Sequence, residues 1–207
     1  MSTPSERKIV TIYEKYGAGA GVVGRLVADA LGVAYVGKAV SSESIEEAAE
    51  LADEEGNFFE RFLRSFTPMP TADADIAWAL EARSDAEVAE QNVSSLRELV
   101  ANGAVVHGRS GASVLADEPC ALHVKLVAPR ETRIANAAVE SGITPERARK
   151  RQEREDRVRA DMAKRIYRWD PSRPDNFDLI VNTGVFSPEQ AADLIVSAFR
   201  LRHPDAP

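Results

Sequence analysis

Short apolar runs that alternate with helical segments constrain the fold of this chain more than any other feature. Runs rich in apolar and β-branched residues occupy residues 8–13, 104–107, 121–128 and 177–183. Between them, apolar residues recur at the spacing of a helix. Strands separated by helices pair in parallel, and helices cover both faces of such a sheet. The sequence therefore predicts an α/β fold with a parallel sheet and helices on both faces.

Capping signals mark the start of several predicted helices. Ser84 stands at the N-cap position of one helix, with a glutamate three residues later. Thr144 is followed by Pro145, and proline is favoured at the first helical position. We therefore expect helices to begin after Ser84 and after Thr144. The segment GRSGAS at residues 108–113 is predicted to form a turn.

A glycine-rich turn, YGAGAG at residues 16–21, follows the first predicted strand. Glycines let the backbone approach an anion closely, and the free N–H groups at the start of the next helix donate hydrogen bonds to it. Ligands of parallel sheets bind at the carboxyl ends of the strands, where this turn should lie. The residues expected to bind phosphate are Gly17, Ala18, Gly19, Ala20, Gly21 and Val22.

The turn can be aligned with the phosphate-binding pattern GxxxxGK[ST] in two registers. In the first, Gly19 is the last loop glycine, Ala20 takes the lysine position and Gly21 takes the hydroxyl position. In the second, Gly24 is the last loop glycine and Arg25 replaces the lysine, but the loop then enters a stretch with helical periodicity. We prefer the first register, in which both functional side chains are missing.

Two other interpretations of the same glycines stay open. Residues 19–24 satisfy the dinucleotide pattern GxGxxG, but the acid expected about 20 residues later is absent from VAYVGKAV at residues 33–40. A dinucleotide site is therefore disfavoured. Alternatively, the glycines only allow the helix to pack closely on the strand.

Charge is distributed unevenly along the chain. The net charge of -7 argues against general nucleic-acid binding. Residues 43–60 are mostly acidic, whereas residues 147–168 concentrate arginine and lysine on a predicted helix. The basic stretch is suited to phosphates, and also to a solvated helix with alternating charges four residues apart.

Membrane, disulfide and metal-binding classes are disfavoured. The sequence contains no run of the roughly 18 to 20 apolar residues that span a bilayer, and the first residues lack the apolar core of a signal peptide. We therefore expect a cytoplasmic protein without a membrane partner. One cysteine and three scattered histidines do not suggest a disulfide or a zinc site, so no metal is expected to be held by protein alone.

Four motifs resemble, in order, the cytidylate kinase-like family of bacteria, whose glycine turn lacks the P-loop lysine. They are YGAGAG at 16–21, VVHGRS at 105–110, EREDRVRA at 153–160 and FDLIVNTGVF at 177–186. The resemblance implies a nucleoside monophosphate kinase-like fold of the P-loop NTPase superfamily. It also implies one domain over 1–207, with a core at about 8–36 and 84–202, a helical insertion at about 41–80 and an arginine-rich lid at about 147–168.

The same resemblance implies ATP-dependent phosphoryl transfer to a nucleoside monophosphate, CMP or a related small acceptor. Magnesium would be held through the nucleotide phosphates, and positive charge around the transferred group would drive the reaction. The catalytic residues would be Arg109, Arg157 and Arg159. The substrate-binding residues would be Arg109, Arg154, Asp156 and Lys38, the lysine compensating for groups that the turn lacks.

Departures from the family pattern leave two other functions open. Residues 13–15 read Tyr-Glu-Lys where Ser-Arg-Glu is usual, residues 21–22 read Gly-Val in place of Arg-Glu, and Gly37 replaces an aspartate. These changes remove polar groups where phosphate and magnesium should lie. The first alternative is a catalytically impaired nucleotide-binding protein that signals to a partner. The second is an interaction module that binds no nucleotide and presents Phe58, Phe59, Phe62 and Phe66.

Overall fold

The computed structural model describes residues 7–38, 41–43, 45–46, 85–108 and 110–204. Arg109, the four phenylalanines named above and most of the predicted helical insertion lie outside these residues. The described residues between 42 and 46 are helical. The sheet and the helices that surround its central strand fall within the described part.

Five parallel strands form the sheet. They are β1 (Ile9–Glu14), β2 (Ala34–Val36), β3 (Ala104–His107), β4 (Ala121–Val127) and β5 (Leu179–Asn182). Their order is β2-β3-β1-β4-β5, with every neighbouring pair parallel and β1 in the centre. The predicted α/β fold with a parallel sheet is confirmed. Because parallel strands end at the same edge, the turns after β1, β3 and β5 lie together at the carboxyl edge.

Helices cover both faces of the sheet. Within the described residues they are α1 (Ala20–Leu31), α2 (Asp85–Leu99), α3 (Gly111–Val114), α4 (Arg130–Ser141), α5 (Pro145–Tyr167) and α6 (Pro188–Arg202), and a 3-10 turn spans Pro174–Asn176. One core contains residues of α1 and α6 together with Val10 and Ile12 of β1. A second core contains residues of α2 together with Ile9 and Val106, and a third, smaller one joins Tyr16 to α4 and α5. None of the described helices has both the length and the apolar character needed to cross a membrane.

Side-chain caps define two helix starts that the sequence indicates. Thr144 is the N-cap of α5, and its hydroxyl accepts the N–H of Arg147 at 3.3 Å while Pro145 begins the helix. Ser187 and Gln190 form a reciprocal capping box at the start of α6. These local signals suffice because a cap depends on residues within one turn of the helix.

The segment after β3 differs from the prediction. Residues expected to form only a turn contain α3, whose N-cap Ser110 has a left-handed φ of 53°. Gly111 packs closely on β1, since a Cβ at this position would lie 3.3 Å from the side chain of Thr11. The short helix therefore depends on packing against the sheet, which the local sequence does not indicate.

Candidate active site

The glycine-rich turn joins β1 to α1 at the centre of the sheet. Residues 15–19 form the connection, and the last two residues of the YGAGAG motif, at positions 20 and 21, already belong to α1. Gly17 and Gly19 have left-handed φ angles of 80° and 84°, which glycine adopts without steric cost. The helix begins at Ala20, the lysine position of the first register. A loop that runs to Gly24, as the second register requires, is inconsistent with a helix from residue 20.

The segments that follow β3 and β5 contact the central strand and its turn. The N–H of Gly108, after β3, donates to the carbonyl oxygen of Ile12 in β1 at 3.0 Å. The hydroxyl of Thr183, after β5, donates to the carbonyl oxygen of Ala18 in the glycine-rich turn at 2.8 Å. Both neighbouring segments are therefore attached to the carboxyl end of β1, as the parallel topology predicts.

A carboxylate of the chain itself lies at the start of α1. Glu14 is the last residue of β1 and is 5% exposed. Its Oε2 accepts the N–H of Ala20 at 3.0 Å. Its Oε1 lies 2.9 Å from Nε2 of His107 and 3.3 Å from Nζ of Lys38. Glu14 thus uses an N–H group that a phosphate-binding turn would offer to its ligand.

Glu14 is ionised at neutral pH. Burial alone would raise the pKa of its carboxyl group, but His107, Lys38 and the N–H of Ala20 together outweigh burial and hold the pKa well below its usual range. A negative charge therefore stands at the N-terminus of α1. It interacts favourably with the helix terminus and opposes the approach of a second anion.

The partner of Glu14 on β3 extends the network to β2. His107 is 2% exposed, and its Nδ1 lies 2.9 Å from the hydroxyl of Tyr35. The guanidinium of Arg25 lies 5.1 Å from the centre of the Tyr35 ring.

Glu14 and His107 were not among the predicted site residues. The sequence could have indicated them, because a glutamate and a histidine stand at the carboxyl ends of two apolar runs. These runs are β1 and β3, which are neighbours in the sheet.

A second network attaches α5 to the glycine-rich turn. Asp156 of α5 accepts the N–H of Tyr16 through Oδ1 at 2.9 Å and Nη1 of Arg133 through Oδ2 at 2.9 Å. The same Nη1 donates to the carbonyl oxygen of Tyr16 at 2.9 Å. Gln152 also donates to Asp156, at 2.7 Å. Asp156 therefore positions the turn, and its predicted contact with substrate stays a prediction.

The predicted arginines of α5 have different surroundings. Arg159 forms an ion pair with Glu155, four residues earlier, which is 1% exposed. Burial alone would lower the pKa of Arg159, but Glu155 and then Glu14 act in the opposite direction and raise it. Within the part of the chain that the structure describes, Arg154 and Arg157 form no ion pair. Their contacts with nucleotide phosphates stay predictions.

Two further arginines of α5 pair with the acidic segment that follows β2. Arg147 and Arg151 both donate to Glu46, and Arg151 also donates to Glu43. Hydrogen bonds from Arg147 lower the pKa of Glu46 most, burial opposes them, and bonds from Arg151 add to the decrease, so that the pKa falls to about 2. Part of the basic stretch is therefore neutralised by carboxylates of the same chain.

The ion pairs of Glu46 predict a specific acid sensitivity. Because its pKa is about 2 in the folded chain and 4.5 ordinarily, Glu46 stabilises the fold fully above pH 4.5 and loses this effect as the pH falls towards 2. We expect the difference in unfolding free energy between the wild type and Glu46→Gln to shrink from about pH 6 to about pH 3. Urea unfolding at both pH values measures it, and a difference that does not depend on pH would contradict the assignment.

The described residues offer no ready site for a metal ion. Among them, no three His, Cys, Asp or Glu side chains converge on one point. Both oxygens of Glu14, the carboxylate at the end of β1, already have partners. A magnesium ion that arrives with a nucleotide would then be held mainly by the phosphate oxygens.

Comparisons with known proteins define the class. A sequence model of the cytidylate kinase-like family matches residues 9–185. The chain belongs to the cytidylate kinase-like family, and its α/β fold is consistent with that of a nucleotide kinase-like protein. The cytidylate kinase of Methanopyrus kandleri is 26% identical over 196 residues, which are 92% of either protein.

Two other proteins are similar in different ways. A protein of Corynebacterium glutamicum named uronate isomerase is 36% identical over 146 residues. Those residues are 70% of this chain, which spans only 28% of the length of that protein. The crystal structure of an uncharacterized protein from Eubacterium ventriosum has the same fold, with a TM-score of 0.63 and 14% identity. The superposition covers 93% of this chain and 98% of that one.

Proposed function

We propose that this protein binds nucleotides at the carboxyl edge of its sheet and transfers a phosphoryl group from magnesium-ATP to a nucleoside monophosphate. CMP, or a related small acceptor, is the first candidate. The observation that carries the proposal is the joint attachment of Asp156 and Arg133 to the glycine-rich turn. This network holds α5, with its arginines, against the turn that faces the donor phosphates in the P-loop fold.

Each predicted residue has a role in the proposed reaction. The backbone of residues 17–22 holds the donor phosphates through its N–H groups, except that of Ala18, which donates to the carbonyl oxygen of Lys15 at 3.0 Å. Arg109 binds the phosphate of the acceptor through its planar guanidinium group. Arg157 and Arg159 neutralise the charge of the transferred group, because phosphoryl transfer depends mainly on positioning and on positive charge. Lys38 and Arg154 add further cationic contacts to the substrate phosphates.

The test is ADP release from magnesium-ATP with a panel of nucleoside monophosphates. We expect Arg109→Ala to lose about 2 kcal/mol of transition-state stabilisation, or about thirtyfold in rate, and Arg157→Ala to lose less. Arg149→Ala is the matched control, because Arg149 lies on α5 in an exposed ion pair with Glu131. Its activity should equal that of the wild type.

The panel also tests the acceptor class. Because part of a protein named uronate isomerase is 36% identical to this chain, the panel includes glucuronate and galacturonate. If the protein phosphorylates a sugar acid in preference to the nucleoside monophosphates, the proposed acceptor class changes from a nucleotide to a sugar acid. Equal ADP release by the wild type and Arg109→Ala would contradict the proposed site and would indicate a contaminating kinase.

The contact between Glu14 and Ala20 favours a second candidate function, a catalytically impaired protein that binds nucleotides and regulates a partner. The lysine position holds Ala20, and loss of one well-placed cationic contact costs roughly 3 to 4 kcal/mol, or a few hundredfold in rate. Saturable binding of ADP without ADP release under any condition of the panel would support this candidate. Robust transfer to one acceptor would contradict it.

A further inference from the structure

Two arginines of α5 converge on one carboxylate beside the glycine-rich turn. Arg147 donates to Glu46 through Nε at 3.0 Å and through Nη2 at 2.8 Å. Arg151, one helical turn later, donates to the same carboxylate through Nε at 2.9 Å and Nη2 at 2.6 Å. Four N–H groups therefore point at one anionic group. The two oxygens of a carboxylate offer about four acceptor positions, so Glu46 can satisfy all four groups, and a phosphate, which has more oxygens, can take its place.

Because the charged side chain of Arg151 is buried, it needs an anion beside it. The side chain of Arg151 is 3% exposed, and that of Glu46 is 14% exposed. Burial alone would lower the pKa of Arg151, but its hydrogen bonds to Glu46 and Glu43 raise that pKa, so the guanidinium stays charged. A buried cation without a counter-charge is strongly unfavourable. Any movement that withdraws Glu46 therefore leaves Arg151 with Glu43 alone, whose side chain is 68% exposed, and favours the uptake of another anion.

A buried hydroxyl group lies next to Arg151. The hydroxyl of Tyr16 is buried without a hydrogen bond of good geometry, and the residue is 4% exposed. Burial and then Glu155 raise the pKa of Tyr16, and the side chains of Arg151 and Ser141 lie close enough to act in the opposite direction. Tyr16 belongs to the glycine-rich turn and is bonded through its backbone to Asp156 of α5. A hydrogen-bond donor of the turn is thus available beside Arg151.

We propose that Arg147, Arg151 and the hydroxyl of Tyr16 form a phosphate site that Glu46 fills while no ligand is bound. The ligand class is a phosphate or diphosphate group, whose oxygens replace the carboxylate of Glu46 on the same N–H donors. Glu43 leaves more readily than Glu46, because its side chain is 68% exposed and contacts only Arg151 of the pair. This inference deepens the proposed function, since it assigns a nucleotide phosphate to a second place on α5.

Binding of inorganic pyrophosphate to the folded chain tests the site without any nucleoside. Glu46→Gln keeps the shape of the side chain and removes the competing charge, so we expect its affinity for pyrophosphate to exceed that of the wild type about tenfold. Glu131→Gln is the matched control, because Glu131 pairs with Arg149 of α5 in the exposed part of the helix. Its affinity should not change. Isothermal titration calorimetry at low ionic strength measures all three proteins.

Thermal unfolding separates a ligand site from a purely structural ion pair. Without anion, Glu46→Gln should unfold at a lower temperature than the wild type because Arg151 loses the more buried of its two counter-charges. Pyrophosphate should then raise the unfolding temperature of Glu46→Gln more than that of the wild type or Glu131→Gln. Equal shifts in all three would overturn the proposal and leave the pair with a structural role.

A second variant keeps the test decisive if Glu46→Gln does not fold. Glu43→Gln removes only the exposed partner of Arg151, and we expect a smaller gain in pyrophosphate affinity. No gain in that variant would also overturn the proposal. These readouts do not depend on catalysis. A gain in affinity without ADP release would support the phosphate site while the proposed kinase activity fails.

Discussion

Replacing Gly17 by alanine should destabilise the protein far more than replacing Gly19, although both glycines have a left-handed backbone. A Cβ at Gly17 would lie 2.2 Å from the carbonyl oxygen of Arg133, a backbone atom of α4 that cannot rotate away. A Cβ at Gly19 would meet nothing within 4 Å. We expect Gly19→Ala to cost about 1 kcal/mol for its backbone conformation, and Gly17→Ala to cost about 3 to 5 kcal/mol.

Urea unfolding of the two variants measures this difference. The pair is well matched, because the two substitutions change the same residue type in the same turn and differ only in what surrounds the new methyl group. Equal losses of unfolding free energy would mean that the turn does not pack on α4. Such a result would also remove the basis for joining α5 to the turn through Arg133.

Glu14→Gln should raise the affinity for magnesium-ADP about a hundredfold. Its Oε2 accepts the N–H of Ala20, and its pKa lies well below the usual range, so a phosphate at the start of α1 meets a negative charge. Two unit charges about 5 Å apart repel by about 3 kcal/mol at an effective dielectric constant near 20, which corresponds to roughly a hundredfold in affinity. Glutamine keeps the shape and removes this repulsion.

Isothermal titration calorimetry with magnesium-ADP checks this expectation. Glu98→Gln is the control, because Glu98 is exposed on α2 and its replacement changes the net charge by the same amount. Its affinity should equal that of the wild type. If Glu14→Gln also binds as the wild type does, the donor phosphates do not occupy the N-terminus of α1.

Sequence alone predicts the elements that depend on local contacts. The N-cap Thr144 with Pro145, and the apolar run of β3 at residues 104–107, appear where the pattern indicates them. The position of the turns after β1, β3 and β5 at one edge of the sheet also follows from the sequence, because helices between strands imply a parallel sheet. The short helix α3 does not follow, since it depends on contact between Gly111 and β1.

The site is less predictable because its charges are paired across the fold. Glu14 and His107 are 93 residues apart in sequence, and only the order of the strands brings them together. Arg133 has no distinctive motif, and its function is visible only from its contacts with Tyr16 and Asp156. Tertiary contacts of this kind leave no local pattern in a single sequence.

The basic stretch matches only in part the helix of alternating charges that its sequence allows, and its binding of phosphate stays a prediction. The ion pair of Arg159 with Glu155 has the four-residue spacing expected of a helix with alternating charges. Arg147 and Arg151 instead pair with Glu46, which lies 101 and 105 residues earlier in the chain. The sequence indicates that arginines are concentrated here, but not which carboxylates neutralise them.

A crystal structure with CMP and a non-hydrolysable analogue of ATP tests the central claim most directly. We expect the donor phosphates to accept hydrogen bonds from the N–H groups of residues 17–22 other than Ala18, and Glu14 to have left the N–H of Ala20. The acceptor phosphate should contact Arg109, with arginines of α5 around the transferred group. Nucleotides bound elsewhere, or absent at saturating concentration while Glu14 stays on Ala20, would contradict the assignment of this edge as the nucleotide site.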